Sequence, residues 1–222
     1  MVATTSHAVA ATLGYEDHEG APAEEMLDAA ARIAKGVEVP VTVDAEAGYG
    51  MEPADLAAAL KRVGAAGCNL EDTDHASGEL REPAQQAEWL SAVREAARAE
   101  GYVLVINARI DVFVRAAASG AEPGPQTELL GEALRRAKAY FEAGVDCVYP
   151  IALWEAEPLG EFISEAPGPV NALKIPPAPS LAELRELGAA RVSWGGLLHH
   201  QSMEQFGATL ASIAADAEGG RA

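Results

Sequence analysis

Three apolar runs along the chain end in acidic residues. VPVTV leads into Asp44-Ala45-Glu46-Ala47-Gly48-Tyr49-Gly50, CNL into Glu71-Asp72-Thr73-Asp74-His75, and VLVIN into Ala108-Arg109-Ile110-Asp111. If the runs are neighbouring strands, their ends share one mouth. Carboxylates converging there repel one another unless they are protonated or bridged by a cation. Hard oxygen donors with few histidines suit Mg²⁺ or Mn²⁺ holding several waters. No Cys/His cluster has zinc spacing. The competing reading is that such acids only cap the helices that follow, and it suits Asp72, Asp74 and Asp111. It suits Asp44 poorly, because Gly48 and Gly50 intervene before any helix can start.

The elements that would carry these ends alternate regularly. Amphipathic stretches close on Gly36, Gly67, Gly101, Gly144 and Gly188, and each is followed by a short apolar run. Glycine just past a helix accepts the left-handed backbone that ends it. Pro22, Pro53 and Pro83 open helical stretches, and Ser180 with Glu183 forms a capping box. After Gln126, the residues Leu130, Leu134, Ala137 and Phe141 recur on one helical face. Seven strands are expected, near 2–6, 39–45, 67–72, 103–109, 146–151, 169–174 and 190–195. They read as apolar on both faces, as in a parallel sheet covered by helices. With no dinucleotide-binding GxGxxG turn, the repeat favours a TIM-type (β/α) barrel forming one domain over residues 1–222. A closed barrel has eight strands, so a first strand–helix unit of roughly 30–40 residues is expected ahead of residue 1. The Gly/Pro/Ser-rich stretch 116–127 reads as a loose segment on the mouth face, and the tail 215–222 as frayed.

Composition narrows the function. With 49% hydrophobic and 23% charged residues, the chain is globular rather than disordered. A net charge of −18 leaves no basic surface for nucleic acid or for an anionic membrane. An anionic substrate would need a positive mediator, and a metal ion supplies one. Cys68 and Cys147 lie in apolar runs and read as buried free thiols. The start has no basic leader and no run is long enough to span a bilayer, so the default location is the cytoplasm.

The motifs, taken in order, resemble one family. VDAEAGYG resembles the VDADTGYG-type signature of the phosphoenolpyruvate mutase/isocitrate lyase superfamily. GCNLEDTDH resembles its next strand, and VINARIDVFVR its arginine-bearing strand. The likeness runs from ATTSHAVAATLGYED to ARVSWGGLL, nearly the whole chain. It implies a modified TIM barrel and a Mg²⁺-dependent lyase or phosphonomutase-like enzyme. Such an enzyme makes or breaks a C–C or P–C bond beside a small 2-oxo or 2-hydroxy acid through an enolate. By the match, Asp44 is the direct metal ligand, while Glu46, Glu71 and Asp17 act through water. Arg109 contacts the substrate, and the backbone at Thr5 and Ser6 donates to its carboxylate. Asp44, Glu71 and Arg109 then form the catalytic set. The resemblance also implies a homo-oligomer, a dimer or tetramer with exchanged terminal helices.

The chain departs from the pattern in places. Glu46 stands where the family usually has Asp. The Lys-Lys-Cys-Gly-His loop of isocitrate lyases is replaced by TDHASGEL, which argues against true isocitrate or methylisocitrate lyase activity. His75 there reads either as an acid–base group or as a solvated loop histidine, and His7 as a possible substrate contact. His199 and His200 read as surface positions at a helix start. Two other functions stay open: a Schiff-base aldolase using Lys174, and a degenerate, non-catalytic barrel serving in binding or assembly.

Overall fold

The computed structural model describes residues 1–118 and 125–219. The first half runs β1 (Val2–Ala3), α1 (Ser6–Leu13), α2 (Ala23–Gly36), β2 (Val41–Asp44), α3 (Pro53–Val63) and β3 (Gly67–Glu71). There follow β4 (Thr73–Asp74), β5 (Glu79–Leu80), α4 (Pro83–Ala99), β6 (Val105–Ile110) and α5 (Val112–Ala118). After a 3-10 turn at Gln126–Leu129 come α6 (Leu130–Glu142), β7 (Cys147–Pro150), α7 (Ala156–Glu165), β8 (Asn171–Leu173), α8 (Leu181–Glu186), β9 (Arg191–Ser193) and α9 (Leu197–Gly219).

All seven expected strands are present and parallel. They lie in the order β1-β2-β3-β6-β7, with β8-β9 as a second pair. A bridge from Val148 to Val170 links the two sheets into one run. This is a half-barrel of the TIM type; among the described residues no pairing joins β9 to β1. The extra β4–β5 hairpin, pairing Thr73 with Leu80 and Asp74 with Glu79, stands on the end of β3.

The expectation of strands apolar on both faces fails for an instructive reason. Side chains alternate along a strand, so Cys68 and Leu70 of β3 and Ile106, Ala108 and Ile110 of β6 face the helices. There they join Leu56, Leu60, Leu90, Val93 and Tyr140 in one buried cluster. Burying each such large side chain is worth roughly 1.5–3 kcal/mol. The other face points into the barrel and is polar: Asn107 donates to Asn69 across the strands at 2.8 Å, and Asn171 is fully buried. Helices cover one face only, and the interior is built to hold polar groups.

The helix ends refine the glycine reading. Gly101, Gly144 and Gly188 adopt the left-handed backbone as expected, but Gly36 does not. At the end of α3 the cap is Gly64, not Gly67. Gly67 opens β3, where a Cβ would lie 2.7 Å from the Val105 carbonyl oxygen. Its role is close strand approach. Pro53 and Pro83 begin α3 and α4, whereas Pro22 sits one residue before α2. The Ser180–Glu183 capping box forms on α8. Of the segment 116–127, residues 116–118 close α5 and 126–127 open the 3-10 turn, while residues 119–124, on which the expected looseness falls, lie outside the described residues. The tail is helical through Gly219, because Ala211, Ala214, Ala215 and Ala217 favour helix. Both cysteines are free and buried. Among the described residues no helix is long and apolar enough to cross a membrane.

Candidate active site

Asp44 ends β2 and is gripped from the link between β1 and α1. The Ser6 N–H donates to Asp44 Oδ2 at 2.9 Å, and the Asp44 N–H donates to Thr4 Oγ1 at 2.8 Å. That fixes one carboxylate oxygen. The other, Oδ1, is buried with no partner among the described residues. Since the Ser6 N–H is spent on Asp44, it is not free for a substrate, contrary to the sequence expectation. Thr5 is the extended residue that caps α1. The remaining donors of that first turn are the His7 and Ala8 N–H groups, which have no intrahelical partner.

The loop after Asp44 is locked to the turn after α1. Glu46 Oε2 accepts from the Glu19 N–H at 2.5 Å, and Glu19 Oε1 accepts from the Tyr49 N–H at 2.5 Å. His18, Glu19, Glu46 and Tyr49 all take positive φ, between 48° and 63°. Each such non-glycine residue costs on the order of 1–3 kcal/mol, and such strain persists only where surrounding contacts impose it. Gly48 cannot be replaced cheaply either, because a Cβ would come within 2.6 Å of the Trp89 ring. In the same turn, Asp17 Oδ2 lies 3.7 Å from His7 Nδ1, and Asp17 Oδ1 is buried without a partner among the described residues.

Glu71 ends β3 almost fully buried. One oxygen sits 2.7 Å from His75 Nε2, and the other pairs with Arg109. Arg109 also clamps Asp111, Nε to Oδ1 at 2.6 Å and Nη2 to Oδ2 at 3.0 Å. Burial pushes the Glu46 and Glu71 carboxyls up to about 7. For Glu46, Asp17 and Asp44 add repulsion; for Glu71, Arg109 and His75 pull the other way. Burial opposes charge on His75, but Glu71 outweighs it and raises its pKa.

These features fit a divalent cation. Two buried carboxylate oxygens, on Asp44 and Asp17, lack partners among the described residues, and two further carboxyls resist ionising without added positive charge. Among the described residues no three His, Cys, Asp or Glu side chains form a direct metal cage. One direct ligand with waters between the ion and the other carboxylates needs no such cage, and it is how Mg²⁺ is commonly held.

Several side chains depart from the sequence reading. His75 is not a solvated loop histidine: its side chain is 10% exposed and packs on Glu71, beside the His18 ring. Asp111 binds Arg109 rather than capping α5. Asp72 is fully buried and likewise caps nothing, while Asp74 accepts from the Ala76 N–H inside the hairpin. Lys174 follows inward-facing Leu173, so the strand alternation turns it outward; its Nζ donates to the Ala178 carbonyl at 3.1 Å. His200 is exposed beside Glu204 at the start of α9, as expected. Glu19, Thr4 and Tyr49 went unnoticed in the sequence, since nothing local marks a contact 30 or 40 residues away.

Known proteins resemble this chain in sequence and in fold. Residues 1–214 match the phosphoenolpyruvate phosphomutase family. The crystal structure of a candidate phosphonomutase of Burkholderia cenocepacia is 39% identical with a TM-score of 0.84, covering 94% of this chain and 84% of that one. An uncharacterised protein of Mycobacterium tuberculosis is 31% identical over 196 residues, 88% of this chain and 69% of its own length. The 2-methylisocitrate lyase of Escherichia coli is 28% identical over 188 residues, 81% of this chain and 56% of the lyase.

Proposed function

The chain belongs to the phosphoenolpyruvate phosphomutase family, whose members are lyases and mutases of small oxo-acids, and on that premise we propose that it is a Mg²⁺-dependent lyase. It breaks a C–C or P–C bond beside the carbonyl of a small 2-oxo or 2-hydroxy acid, leaving the electron pair as an enolate. The observation that carries this reading is Asp44. One carboxylate oxygen is pinned by the Ser6 N–H, and the other is buried, unpartnered and placed at the mouth.

When bound, the metal supplies positive charge where the substrate oxygen becomes an oxyanion. The chain's residues do the rest. Asp44 would be the direct ligand, and Glu46, Glu71 and Asp17 would hold the ion through water; Mn²⁺ suits the same donors. Arg109 offers its remaining N–H donors to the substrate's carboxylate or phosphoryl group. The hairpin lacks the lysines and cysteine of isocitrate lyases, so the substrate is not isocitrate or methylisocitrate.

Titration calorimetry tests the reading, using Mn²⁺ and then oxalate, an enolate mimic. Wild-type protein should bind both, and Asp44→Ala should bind neither. Tight Mn²⁺ binding that survives in Asp44→Ala would sink the assignment.

The proposal extends to a homo-oligomer. Along α9, Leu198, Met203, Phe206, Leu210 and Ile213 are at least half exposed. The last four follow seven-residue spacing on one face, which suits a second copy of the chain. Light scattering should give a dimer or larger, and Phe206→Asp should give a monomer; a monomeric wild type refutes this.

A further inference from the structure

We propose that α6 braces the anion-binding arginine: Arg136 and Tyr140 hold Asp72, Asp72 and Thr73 hold Asp111, and Asp111 together with Glu71 holds the Arg109 guanidinium off Asp44 and facing the mouth. This rests on the reading of Arg109 as a substrate contact.

A guanidinium has five N–H donors. Two of Arg109's go to Asp111 and one to Glu71, which leaves two for a ligand. Arg109 is nearly buried and feels Glu71, Asp111 and Asp44 together. Without Asp111 it would turn toward Asp44, whose charge it already feels, and cancel the charge meant for the metal. The Asp111 clamp offers a competing carboxylate on the far side, and its two parallel bonds fix the plane of the fork.

A clamp holds only if it is itself held. The Thr73 hydroxyl donates to Asp111 Oδ2 at 2.6 Å, and the Asp111 N–H donates to Asp72 Oδ1 at 2.9 Å. Asp72 follows inward-facing Glu71, so it points outward, toward the helices. There its Oδ2 accepts from Tyr140 Oη at 2.7 Å and Arg136 Nη1 at 3.0 Å. Arg136 is tied in turn to Glu132 and to the Arg81 carbonyl, each at 2.8 Å. The chain of bonds runs without a break from α6 to the mouth.

Stability alone does not account for it. A buried ion pair rarely stabilises more than an apolar residue of similar size would, because both charges must first be desolvated. Asp72 is fully buried, and both of its oxygens are spent on the brace. What the charged version adds is direction, and that direction ends on Arg109.

The test follows the Arg109 Nε–H resonance in ¹⁵N-labelled protein, assigned by its loss in Arg109→Lys. Losing a hydrogen bond in the brace, worth about 1–1.5 kcal/mol, should speed its solvent exchange about tenfold in Asp72→Asn and in the milder Tyr140→Phe. Glu95→Gln on the surface of α4 should leave the rate alone. In the Mn²⁺-loaded protein, Tyr140→Phe should weaken oxalate about tenfold while Mn²⁺ affinity holds. In an Arg109→Ala background the same change should cost nothing further. Wild-type exchange rates at Arg109 in both brace variants overturn the proposal, as does undiminished oxalate affinity in Tyr140→Phe. If the variants free Arg109 but wild-type protein binds no oxalate, the brace stands and the lyase reading falls.

Discussion

The barrel mouth has two unlike arcs. At the ends of β1, β2, β3 and β6, Asp44, Glu46, Glu71 and Arg109 are locked by short charged contacts that cross from loop to loop. At the ends of β7, β8 and β9 the inward side chains are Tyr149, Leu173 and Ser193, and among them the Ser193 hydroxyl donates to Tyr149 Oη at 3.3 Å. The first arc gathers charge at a cost in strain and desolvation. The second is neutral and unstrained, apart from Ala152 beyond β7. On the proposed function, metal chemistry belongs to one side of the mouth, and the other is a neutral wall for the rest of a substrate.

The largest effect that sharpens this contrast is that of pH on metal affinity. Glu46 and Glu71 keep their protons up to about 7, so metal must displace protons at lower pH. Mn²⁺ affinity should fall roughly tenfold per pH unit for each proton displaced, which calorimetry from about pH 7.5 to 5.5 would show. The sign for stability is opposite. Both carboxyls are raised above the ordinary 4.5, so the folded state binds protons more tightly than the unfolded one. Their stabilisation is complete below about 4.5 and is lost as pH rises through about 7. The melting temperature of metal-free protein should thus drop over that window, and Mn²⁺ should abolish the drop. A flat profile without metal would place both groups outside any shared acidic site.

Arg109→Ala should come next. Two charge-assisted donors are removed, so oxalate binding to the Mn²⁺-loaded protein should weaken by about 30-fold or more. Calorimetry reads it directly, and unchanged affinity would move the substrate to the other arc. The smallest effects belong to that arc. Tyr149→Phe should change Mn²⁺ affinity by less than about twofold, since it removes one weak neutral hydrogen bond. Lys174→Ala should leave turnover nearly intact, whereas EDTA should abolish it; activity that survives EDTA and vanishes in Lys174→Ala would reverse the contrast and favour a Schiff base.

Much of the architecture was legible because it is written locally. A helix, a glycine and an apolar run recur in order, and the seven strands fall where that pattern puts them. The barrel's polar lining was also present, as the alternation in GCNLE and VINARI, but hydrophobic content masked the period of two. The β4–β5 hairpin was hidden, since strands of two residues leave no periodic trace. At the site, Asp44, Glu46, Glu71 and Arg109 stood out by position at strand ends. Asp72 and Asp111 were mistaken for helix caps because only their neighbours in sequence were visible. Their true partners, Tyr140 and Thr73, lie 68 and 38 residues away, and only the folded barrel brings them together.

β1 contributes two residues to the sheet, and Thr4 and Ser6 just after it hold both ends of Asp44. Amide exchange should therefore report on the metal. With Asp44 as the proposed metal ligand, each opening that frees Thr4 and Ser6 from β2 would also release it, and ion binding and the closure of this segment would be one equilibrium. An ion at 100 times its dissociation constant stabilises whatever state binds it by about 2.7 kcal/mol. Protection of the Ser6 amide should rise by up to roughly 100-fold, the same factor, although the ion never touches that nitrogen.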